Sequence, residues 1–485
     1  MPLVLLANRA PIRQTPTGWE AALGGLASAL LPVLEDRGGA WVAMREPEDG
    51  APLMQPYPEA SPTFTVHRVP LEEEEFKDYY NGMSNQVLWP LAHYLVNHVA
   101  PERAFRGAYR AVNRRFAEAA LAAAAEVSSA PPATSGASGD ADPVQFWIQD
   151  YHLMLVPELI RQRRPGARIG HFWHIPWPAP EVFRILPSAR ELLRGMLGAD
   201  LVGFHTDGDA ENFRESARDL VGATVEGHDV LWEGRRVRAE RHPIGIDVEK
   251  FEAFGHDAHI AQEADTFRRE IFADHIVLGI DRLDYTKGLL LRLEAFERFL
   301  ESYPEMHGHV AMFQIATPSR TGIPAYAQLK RKVEQAVGRI NGRFAEGAWT
   351  PIHYRYRAYT QQELAALYRA ADVALVTPLR DGMNLVAHEF GAISGAAMDD
   401  GAQPGVLILS ELAGASDYLD GAVCVNPYDT DGLARVLRAA IDLPLAEKRR
   451  RLSLVREAVR GLDVHAWAAR FLDRLGESQP VASSQ

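Results

Sequence analysis

The sequence of 485 residues contains a single cysteine and has no apolar run long enough to cross a bilayer. One cysteine excludes an internal disulfide and a zinc site built from several thiolates. The start of the chain lacks the basic segment of a signal peptide and is typical of a first strand. The absence of a signal peptide and of a membrane span predicts a cytoplasmic protein. The single cysteine, Cys424, lies in the apolar segment 422–425, which predicts a buried strand.

The chain also lacks an excess of positive charge, because 51 Lys and Arg residues stand against 64 Asp and Glu residues, a net charge of −13. Non-specific binding of nucleic acid requires a basic surface, so we expect no nucleic-acid partner. Small anionic ligands are not excluded, since a few Arg and Lys residues in loops can create a local positive site.

Motifs of several common enzyme classes are absent. There is neither a Walker A sequence nor a Gly-x-Gly-x-x-Gly fingerprint, which argues against a P-loop NTPase or a dinucleotide dehydrogenase. His388 and Glu389 lack the second histidine of a zinc-protease helix. The Asp-x-Asp pairs at 207–209 and 429–431 are typical of helix caps with carboxylates in the first turn. We therefore expect no metal cofactor.

What the chain does contain is an alternation of strand-like and helix-like segments, which predicts an α/β fold with parallel sheets covered by helices. Apolar runs typical of strands buried on both faces occur at 3–7, 144–149, 168–173, 200–204, 275–281, 309–315, 373–377, 405–409 and 422–425. Helical patterns occur at 24–35, 104–127, 152–164, 208–221, 287–302, 324–341, 360–370, 430–442 and 444–460.

The length favours two domains, since a single core seldom grows beyond about 250 to 300 residues. Pro and Gly interrupt an apolar stretch at 242–247, so we expect a first domain at 1–242 and a second at 243–465. The similar layout of the two halves predicts two similar domains that face each other across a cleft. Residues 130–140 are rich in Pro, Ser, Gly and Ala and predict a disordered surface loop.

The most informative segment is 380–389, Arg-Asp-Gly-Met-Asn-Leu-Val-Ala-His-Glu, which follows a predicted strand and opens a helix. Open α/β sheets bind ligands at such loops, and backbone N–H groups there suit an anionic or hydroxyl-rich ligand. Asp381 is suited to sugar hydroxyls, and Glu389, about two helical turns further on, to a ribose diol. The alternative is a plain helix start in which Asp381 is a cap and Glu389 is solvated. The other segments described below favour the binding interpretation.

Arg282 and Lys287 follow another predicted strand, beside Gly288 and a new helix. Arginine offers planar bidentate contacts and lysine a mobile point charge, so the pair suits a diphosphate. Their place at a strand end makes an ordinary surface pair of cations a weaker interpretation.

Two further loops carry an arginine after a strand, namely Arg9 and Arg320. Gly24 and Gly25 open the first predicted helix, where a glycine pair permits close approach of the backbone to a phosphate or a sugar. A simple turn explains the same glycine pair.

Polar and aromatic side chains typical of sugar sites occur in the first half. Residues 78–90 are dense in aromatic and amide groups, although a packed loop with a helix would explain them too. Asp150 and His174 each follow a strand and should point into the same cleft, where they could bind sugar hydroxyls or assist proton transfer. His152 and His171 are expected to be structural.

Taken together, these segments resemble glycosyltransferase family 20, the retaining trehalose-6-phosphate synthases, from Asn8 to about Trp467. The resemblance implies the GT-B fold, in which two Rossmann-like domains with parallel sheets close over a nucleotide-sugar, and a final helix at about 466–480 that packs back on the first domain. The motifs that carry it lie at 78–90, 150–153, 174–178, 281–288, 317–320, 339–344 with 349–351, and 380–389.

The resemblance implies UDP-glucose as donor and co-substrate, glucose 6-phosphate as acceptor, and α,α-trehalose 6-phosphate and UDP as products. The implied acceptor-binding residues are Arg9, Tyr80, Trp89, Asp150, His174 and Arg320. The implied donor-binding residues are Gly25, Arg282, Lys287, Asp381, Gly382, Met383, Asn384, Leu385, Val386 and Glu389. The catalytic residues among them are His174, Arg282, Lys287 and Asp381.

The sequence departs from the family at Met44, where a tryptophan is common, and at Gln149 and His388, where His and Lys are common. Two alternatives stay open: a different acceptor such as glycerol 3-phosphate, as in glucosylglycerol-phosphate synthases, and a catalytically silent regulatory protein that binds sugar phosphates. Glucosylglycerol-phosphate synthases tend to lose the Asn-Arg and Tyr-Tyr-Asn patterns, and both patterns are present here. A silent regulatory protein would be expected to lose the phosphate-binding cations, and this sequence retains them at Arg9, Arg282, Lys287 and Arg320. The choice among UDP, GDP and ADP, and between a monomer and a homo-oligomer such as a dimer or tetramer, is not decided by the sequence.

Overall fold

The computed structural model describes residues 2–15, 18–21, 25–58, 63–129 and 144–477, so the loop predicted at 130–140 lies outside the described residues. The chain divides into two compact units. Unit 1 comprises Met1–Pro243 with His465–Gln485, and unit 2 comprises Ile244–Val464. No helix in the described ranges is both long and apolar enough to span a membrane.

Unit 1 is built around a ten-stranded sheet with the order β10-β11-β12-β9-β8-β7-β1-β4-β6-β5, beside a hairpin of β2 and β3. Its strands are β1 Leu3–Leu6, β2 Ile12–Thr15, β3 Gly18–Ala21, β4 Gly39–Arg45, β5 Met54–Tyr57, β6 Phe64–Pro70, β7 Gln145–Gln149, β8 Arg168–Phe172, β9 Leu201–Phe204, β10 Thr224–Glu226, β11 Asp229–Trp232 and β12 Arg235–Arg241. The central strands are parallel and β5, β10 and β11 add antiparallel edges. Central β1 and β7 are completely buried, as continuous apolar strands covered on both faces should be.

Helices cover this sheet, and one segment of unit 1 winds as a π-helix, Lys77–Leu88. The α-helices of unit 1 up to residue 243 are α1 Gly25–Arg37, α2 Glu73–Phe76, α3 Trp89–Ala92, α4 Arg103–Ser129, α5 Val156–Arg163, α6 Pro180–Phe183, α7 Ala189–Met196 and α8 Asp207–Val221. Short 3₁₀ turns lie at Val96–His98 and Tyr151–Leu153. The predicted cap is confirmed at α8, where Asp207 and Asp209 occupy the first turn behind Thr206, the N-cap residue.

Unit 2 contains a six-stranded sheet with the order β15-β14-β13-β16-β17-β18, and all of its strands are parallel. The strands are β13 His275–Arg282, β14 Val310–Thr317, β15 Ile352–Arg355, β16 Val373–Val376, β17 Val406–Ser410 and β18 Val423–Val425. The helices are α9 Val248–His256, α10 Ala258–Glu270, α11 Leu289–Ser302, α12 Pro324–Phe344, α13 Gln361–Ala370, α14 Leu385–Ala397, α15 Thr430–Asp442 and α16 Leu445–Arg460. The predicted α/β class is thus confirmed.

The expectation that Cys424 is buried is wrong. Cys424 lies in β18 as predicted, but it is exposed. The reason is that β18 is an edge strand of its sheet, whereas a buried strand has neighbours on both sides.

The last helix, α17 Val464–Glu477, lies almost entirely in unit 1. Its Trp467 and Phe471 pack on Trp147 of β7, with ring centroids 5.2 and 5.0 Å apart. At Gly170 and Gly203 an added Cβ would come within 2.7 Å of the Phe471 ring, so the sheet surface under α17 admits only glycine.

Candidate active site

In unit 1, the first group of candidate residues lies at the end of β1. The side chain of Arg9 is 68% exposed. Its guanidinium Nη2 donates a hydrogen bond to the Tyr80 hydroxyl at 3.2 Å. The backbone around Arg9 is fixed, because Trp41 Nε1 donates to its carbonyl oxygen at 3.1 Å and Tyr79 Oη donates to Asn8 Oδ1 at 2.9 Å. A cation held at its base and exposed at its tip is suited to an anionic group of a ligand.

Tyr80 is positioned by the π-helix, on which it stacks between Phe76 and His152. π-helical segments often mark functional sites, although a length of 12 residues is unusual. Trp89 begins the next helix but is only 4% exposed and packs against Tyr151. The structure therefore brings Tyr80 to Arg9 and places Trp89 in the aromatic layer behind them.

The second group of unit 1 follows β7 and β8, which pair in parallel. Asp150 has a φ of 70°, a left-handed conformation that a non-glycine residue seldom adopts without a functional reason. Its Oδ1 accepts the His174 backbone N–H at 3.3 Å, and the His174 ring contacts Gln149. The structure thus brings Asp150 and His174 into contact, and the expectation that both side chains point into a ligand cleft stays a prediction.

His152 joins these two groups, a role that was not predicted from the sequence. Its ring stacks on Tyr80, and its Nδ1 lies 3.9 Å from Asp150 Oδ2. His171, expected to be structural, is completely buried, and burial lowers its pKa to about 3, so it is neutral at physiological pH. Burial also lowers the pKa of His174 well below its ordinary value, with a smaller contribution from neighbouring histidines.

In unit 2, Lys287 and Asp381 form an ion pair at 2.5 Å between two loops that follow β13 and β16. Their side chains are only 10% and 13% exposed, so water screens the pair weakly. Gly288 has a φ of 68°, and a Cβ there would approach the Thr377 carbonyl oxygen to 2.4 Å. Only glycine permits the close approach of the two loops that makes this pair.

The N-terminus of α14 completes the loop of the ion pair. Asn384 caps the helix in a left-handed conformation, with a φ of 78°, and its Nδ2 donates to Asp381 Oδ2 at 3.0 Å. Gly382 and buried Met383 lead into this cap, and the backbone N–H groups of Leu385 and Val386 open the helix. Such N–H groups lack acceptors within the helix and favour anions.

Glu389 lies deeper along α14 and is not the solvated residue of the alternative interpretation. Its Oε2 accepts the Tyr368 hydroxyl at 2.7 Å. Burial raises the pKa of Glu389 to about 7, against a smaller opposing effect of the hydrogen bond from Tyr368. The carboxyl group therefore changes its charge near neutral pH.

Three cations of unit 2 act electrostatically on Asp284, whose role was not recognised from the sequence. Burial alone would raise the pKa of Asp284, but Arg320, Arg282 and Lys287 outweigh it and lower the pKa to about 2. Arg320 Nη1 donates to Asp284 Oδ2 at 3.1 Å and to the Tyr326 hydroxyl at 2.6 Å. Arg320, implied to bind the acceptor, therefore lies beside the implied donor residues.

Below these loops, Arg292 of α11 forms a completely buried ion pair with Asp281 of β13 at 2.6 Å. It also donates to Thr377 Oγ1 at 2.9 Å and to the Lys287 carbonyl oxygen at 3.3 Å. One guanidinium thus connects the ends of β13 and β16 and supports Lys287 from beneath. A charged residue inside a helix gives no sequence signal of such a role.

Gly25 is the first residue of α1, and Gly24 lies outside the described residues. Within the described ranges, no group of three or more His, Cys, Asp or Glu side chains is arranged to hold a metal ion. The predicted cap at Asp429 is confirmed, since its side chain accepts the Gly432 backbone N–H.

Comparison with known proteins places the chain among the glycosyltransferases. The model of the family described as Glycosyltransferase family 20 matches residues 3–477. The protein therefore belongs to glycosyltransferase family 20, and the resemblance seen in its motifs is confirmed.

Relatives and solved structures agree over nearly the full length. The trehalose-6-phosphate synthase of Mycobacterium avium (strain 104) is 40% identical over an alignment of 492 positions, which covers 98% of this chain and 96% of that protein. An α,α-trehalose-phosphate synthase (UDP-forming) from Burkholderia xenovorans, solved in complex with glucose-6-phosphate, is 33% identical with a TM-score of 0.85, covering 98% of this chain and 100% of that chain. A protein from E. coli, solved bound with UDP-2-fluoro glucose, is 33% identical in sequence with a TM-score of 0.86. The match covers 98% of this chain and 99% of that chain.

Proposed function

We propose that the protein transfers glucose from UDP-glucose to glucose 6-phosphate with retention of anomeric configuration, which gives α,α-trehalose 6-phosphate and UDP. The observation that carries the proposal is that Arg320 contacts Asp284 at the strand ends of unit 2, where Arg282 and Lys287 also act electrostatically on the same carboxylate and lower its pKa. In a family 20 member whose relatives are named trehalose-6-phosphate synthases, this grouping suits a diphosphate leaving group and a sugar phosphate.

Unit 2 is proposed to bind the donor. Lys287 and Arg282 contact the diphosphate, together with the N-terminus of α14. Gly25 is assigned to the donor as well. Asp381 and Asn384 are already joined by a hydrogen bond and hold hydroxyls of the donor glucose. Glu389 accepts hydrogen bonds from the ribose.

Unit 1 is proposed to bind most of the acceptor. Arg9 and Tyr80 contact its phosphate, with Trp89 behind them. Arg320 is assigned to the acceptor as well. Asp150 and His174 accept hydrogen bonds from sugar hydroxyls. The division of labour between the domains 1–242 and 243–465, the cytoplasmic location and the lack of a metal requirement remain predictions. The choice between a monomer and a homo-oligomer stays open.

The chemical step follows from the charges. The bond between the anomeric carbon and the diphosphate oxygen breaks, and a bond to the acceptor hydroxyl forms on the same face of the sugar. The hydroxyl proton passes to the leaving phosphate oxygen. Negative charge grows on the diphosphate, so Arg282 and Lys287 stabilise the transition state more than the ground state. This course needs no carboxylate nucleophile, unlike that of retaining glycosidases.

The proposal is tested by the release of UDP from UDP-glucose in the presence of glucose 6-phosphate, glycerol 3-phosphate or no acceptor, with and without EDTA. We expect release with glucose 6-phosphate alone, unaffected by EDTA, together with a disaccharide phosphate. Release with glycerol 3-phosphate would assign the sister activity. If no nucleoside diphosphate is released with any acceptor, even when ADP-glucose or GDP-glucose replaces UDP-glucose as the donor, a silent regulatory protein is favoured.

The affinity for UDP is expected to depend on pH through Glu389. The raised pKa of about 7 means that the carboxyl group is protonated below neutral pH and then accepts hydrogen bonds from the ribose poorly. UDP affinity should therefore increase as pH rises through about 7. Between about pH 6 and pH 8, the ratio of dissociation constants of Glu389→Gln and the wild-type protein should increase about tenfold. Titration of the ligand phosphate cancels in this ratio, which calorimetry can measure.

Tyr368→Phe tests whether the pH dependence of UDP affinity comes from Glu389, and Glu334→Gln is the matched control. Tyr368→Phe removes the hydrogen bond that lowers the Glu389 pKa, so the same transition should move to higher pH. Glu334→Gln, on the surface of α12, should reproduce the wild-type profile. A ratio that stays constant with pH would reject the contact between Glu389 and the ribose.

A further inference from the structure

Gln149, the last residue of β7, is completely buried and contacts the edge of the His174 ring. Its Oε1 lies 2.8 Å from Nε2 of His174. With the Gln149 amide oxygen facing the ring, Nε2 of His174 is the donor in this contact, because an amide oxygen carries no hydrogen. The Gln149 amide nitrogen is buried and forms no hydrogen bond with any described residue. A neutral imidazole with its proton on Nε2 has a lone pair on Nδ1. No described residue forms a hydrogen bond with Nδ1 of His174.

The orientation of the His174 ring is fixed by more than this hydrogen bond. Its centroid lies 4.6 Å from Phe172, 5.6 Å from His205 and 6.1 Å from Trp467 of α17. The backbone N–H of His174 donates to Asp150 Oδ1. These contacts restrict rotation of the ring, so the edge that contacts Gln149 is defined by packing.

The electrical surroundings of the ring keep it neutral. Burial is the largest cause of its low pKa, and His205, His171 and His152 lower the pKa further. The carboxylate of Asp150 accepts a hydrogen bond from the backbone N–H of His174. A glutamine at the ring edge accepts a hydrogen bond without adding the negative charge that would stabilise an imidazolium.

We propose that Gln149 is a positioning residue that holds His174 in the neutral Nε2–H tautomer, so that Nδ1 accepts a hydrogen bond from a sugar hydroxyl. The proposal rests on the proposed function, because it assigns His174 to sugar binding. Gln149 itself touches no substrate. An imidazolium has no lone pair and cannot accept a hydrogen bond from the sugar hydroxyl. A substitution of Gln149 that allows His174 to become protonated should therefore weaken glucosyl transfer more at low pH than at high pH.

The tautomer is measured directly by long-range ¹H–¹⁵N correlation spectra of protein labelled with ¹⁵N-histidine, in which His174→Phe identifies the His174 signals. We expect a protonated Nε2 and an unprotonated Nδ1 that do not change between about pH 6 and pH 8. Gln149→Leu should give a mixture of tautomers. A proton on Nδ1 in the wild-type protein, or an unchanged tautomer in Gln149→Leu, would overturn the proposal.

Gln149→Glu tests the consequence for the reaction. A carboxylate beside Nε2 favours the imidazolium, so His174 should begin to titrate near neutral pH in the spectra. Over the same range, kcat should fall at least about tenfold from pH 8 to pH 6 relative to the wild-type protein. Gln162→Glu, an exposed position on α5, is the matched control and should follow the wild-type profile. Thermal unfolding of each variant confirms that it is folded.

The outcomes separate this inference from the proposed function. If the wild-type protein releases no UDP with any acceptor, the proposed function fails, while the spectra still decide the tautomer. If the wild-type protein is active and both the spectra and the pH profile of Gln149→Glu match those of the wild-type protein, the positioning role of Gln149 alone is rejected.

Discussion

Replacing Lys287 with methionine is expected to slow glucosyl transfer about a hundredfold to a thousandfold, measured as kcat at saturating UDP-glucose and glucose 6-phosphate. The Lys287 ammonium is held 2.5 Å from Asp381, with only 10% of its side chain exposed. A charge fixed in advance and shielded from water stabilises a developing diphosphate without reorganisation. Methionine keeps the unbranched apolar stem and removes the charge, so the loss should appear mainly in kcat.

The control for this variant must account for Asp381, whose carboxylate loses its partner. An unpaired buried carboxylate destabilises the fold by itself. Lys287→Met combined with Asp381→Asn removes that cost, so the double variant should regain thermal stability but not turnover. Lys330→Met, on the surface of α12, should retain full activity. Turnover within a few-fold of wild type in folded Lys287→Met would reject the leaving-group role.

The sequence predicted this pair of loops without predicting the ion pair. Lys287 and Asp381 are separated by 94 positions, and no local pattern connects them. The rule that parallel strands bring their carboxyl ends to one edge was sufficient to group the loops. It could not show which side chains pair, because pairing depends on packing such as the contact of Gly288 with the Thr377 carbonyl oxygen.

Buried charges account for much of what the sequence did not reveal. In β6, His67 and Arg68 are buried, so the strand lacks the continuous apolar run by which others were predicted. Arg292 follows three leucines in α11 and would ordinarily be assigned to a solvated face, although it is completely buried. Such residues are satisfied by partners distant in sequence, and periodicity carries no information about them.

The π-helix Lys77–Leu88 was also beyond prediction. Its composition suggested a sugar site, which stays a prediction, and the structure places the segment beside Arg9. Its winding depends on hydrogen bonds to the fifth residue rather than the fourth, for which no sequence signal was available. Tyr79 and Tyr80 thereby reach Asn8 and Arg9, contacts that the α-helical periodicity would not have indicated.

Replacing Arg320 with alanine is expected to raise the KM for glucose 6-phosphate about tenfold to a hundredfold and the KM for UDP-glucose about threefold at most. A charge-assisted hydrogen bond to a phosphate has this magnitude. Arg320 adopts a φ of 48° and is fixed by Asp284 and Tyr326, which orients its guanidinium before substrate binds. The measurement is initial rate as a function of each substrate, with UDP affinity determined separately by calorimetry.

This experiment also decides between two physical roles, because Arg320 contacts Asp284 and Asp284 contacts the turn that carries Lys287. Asp284 Oδ1 accepts the backbone N–H and the hydroxyl of Thr286, both at 3.0 Å. If Arg320 served chiefly to hold that turn, its loss would weaken UDP-glucose and glucose 6-phosphate alike and would lower UDP affinity. Tyr326→Phe removes one hydrogen bond to Arg320 and keeps its charge, so it should reproduce the selective effect at a smaller size. Equal effects on both substrates in Arg320→Ala would therefore transfer Arg320 from the acceptor site to the support of the donor loop.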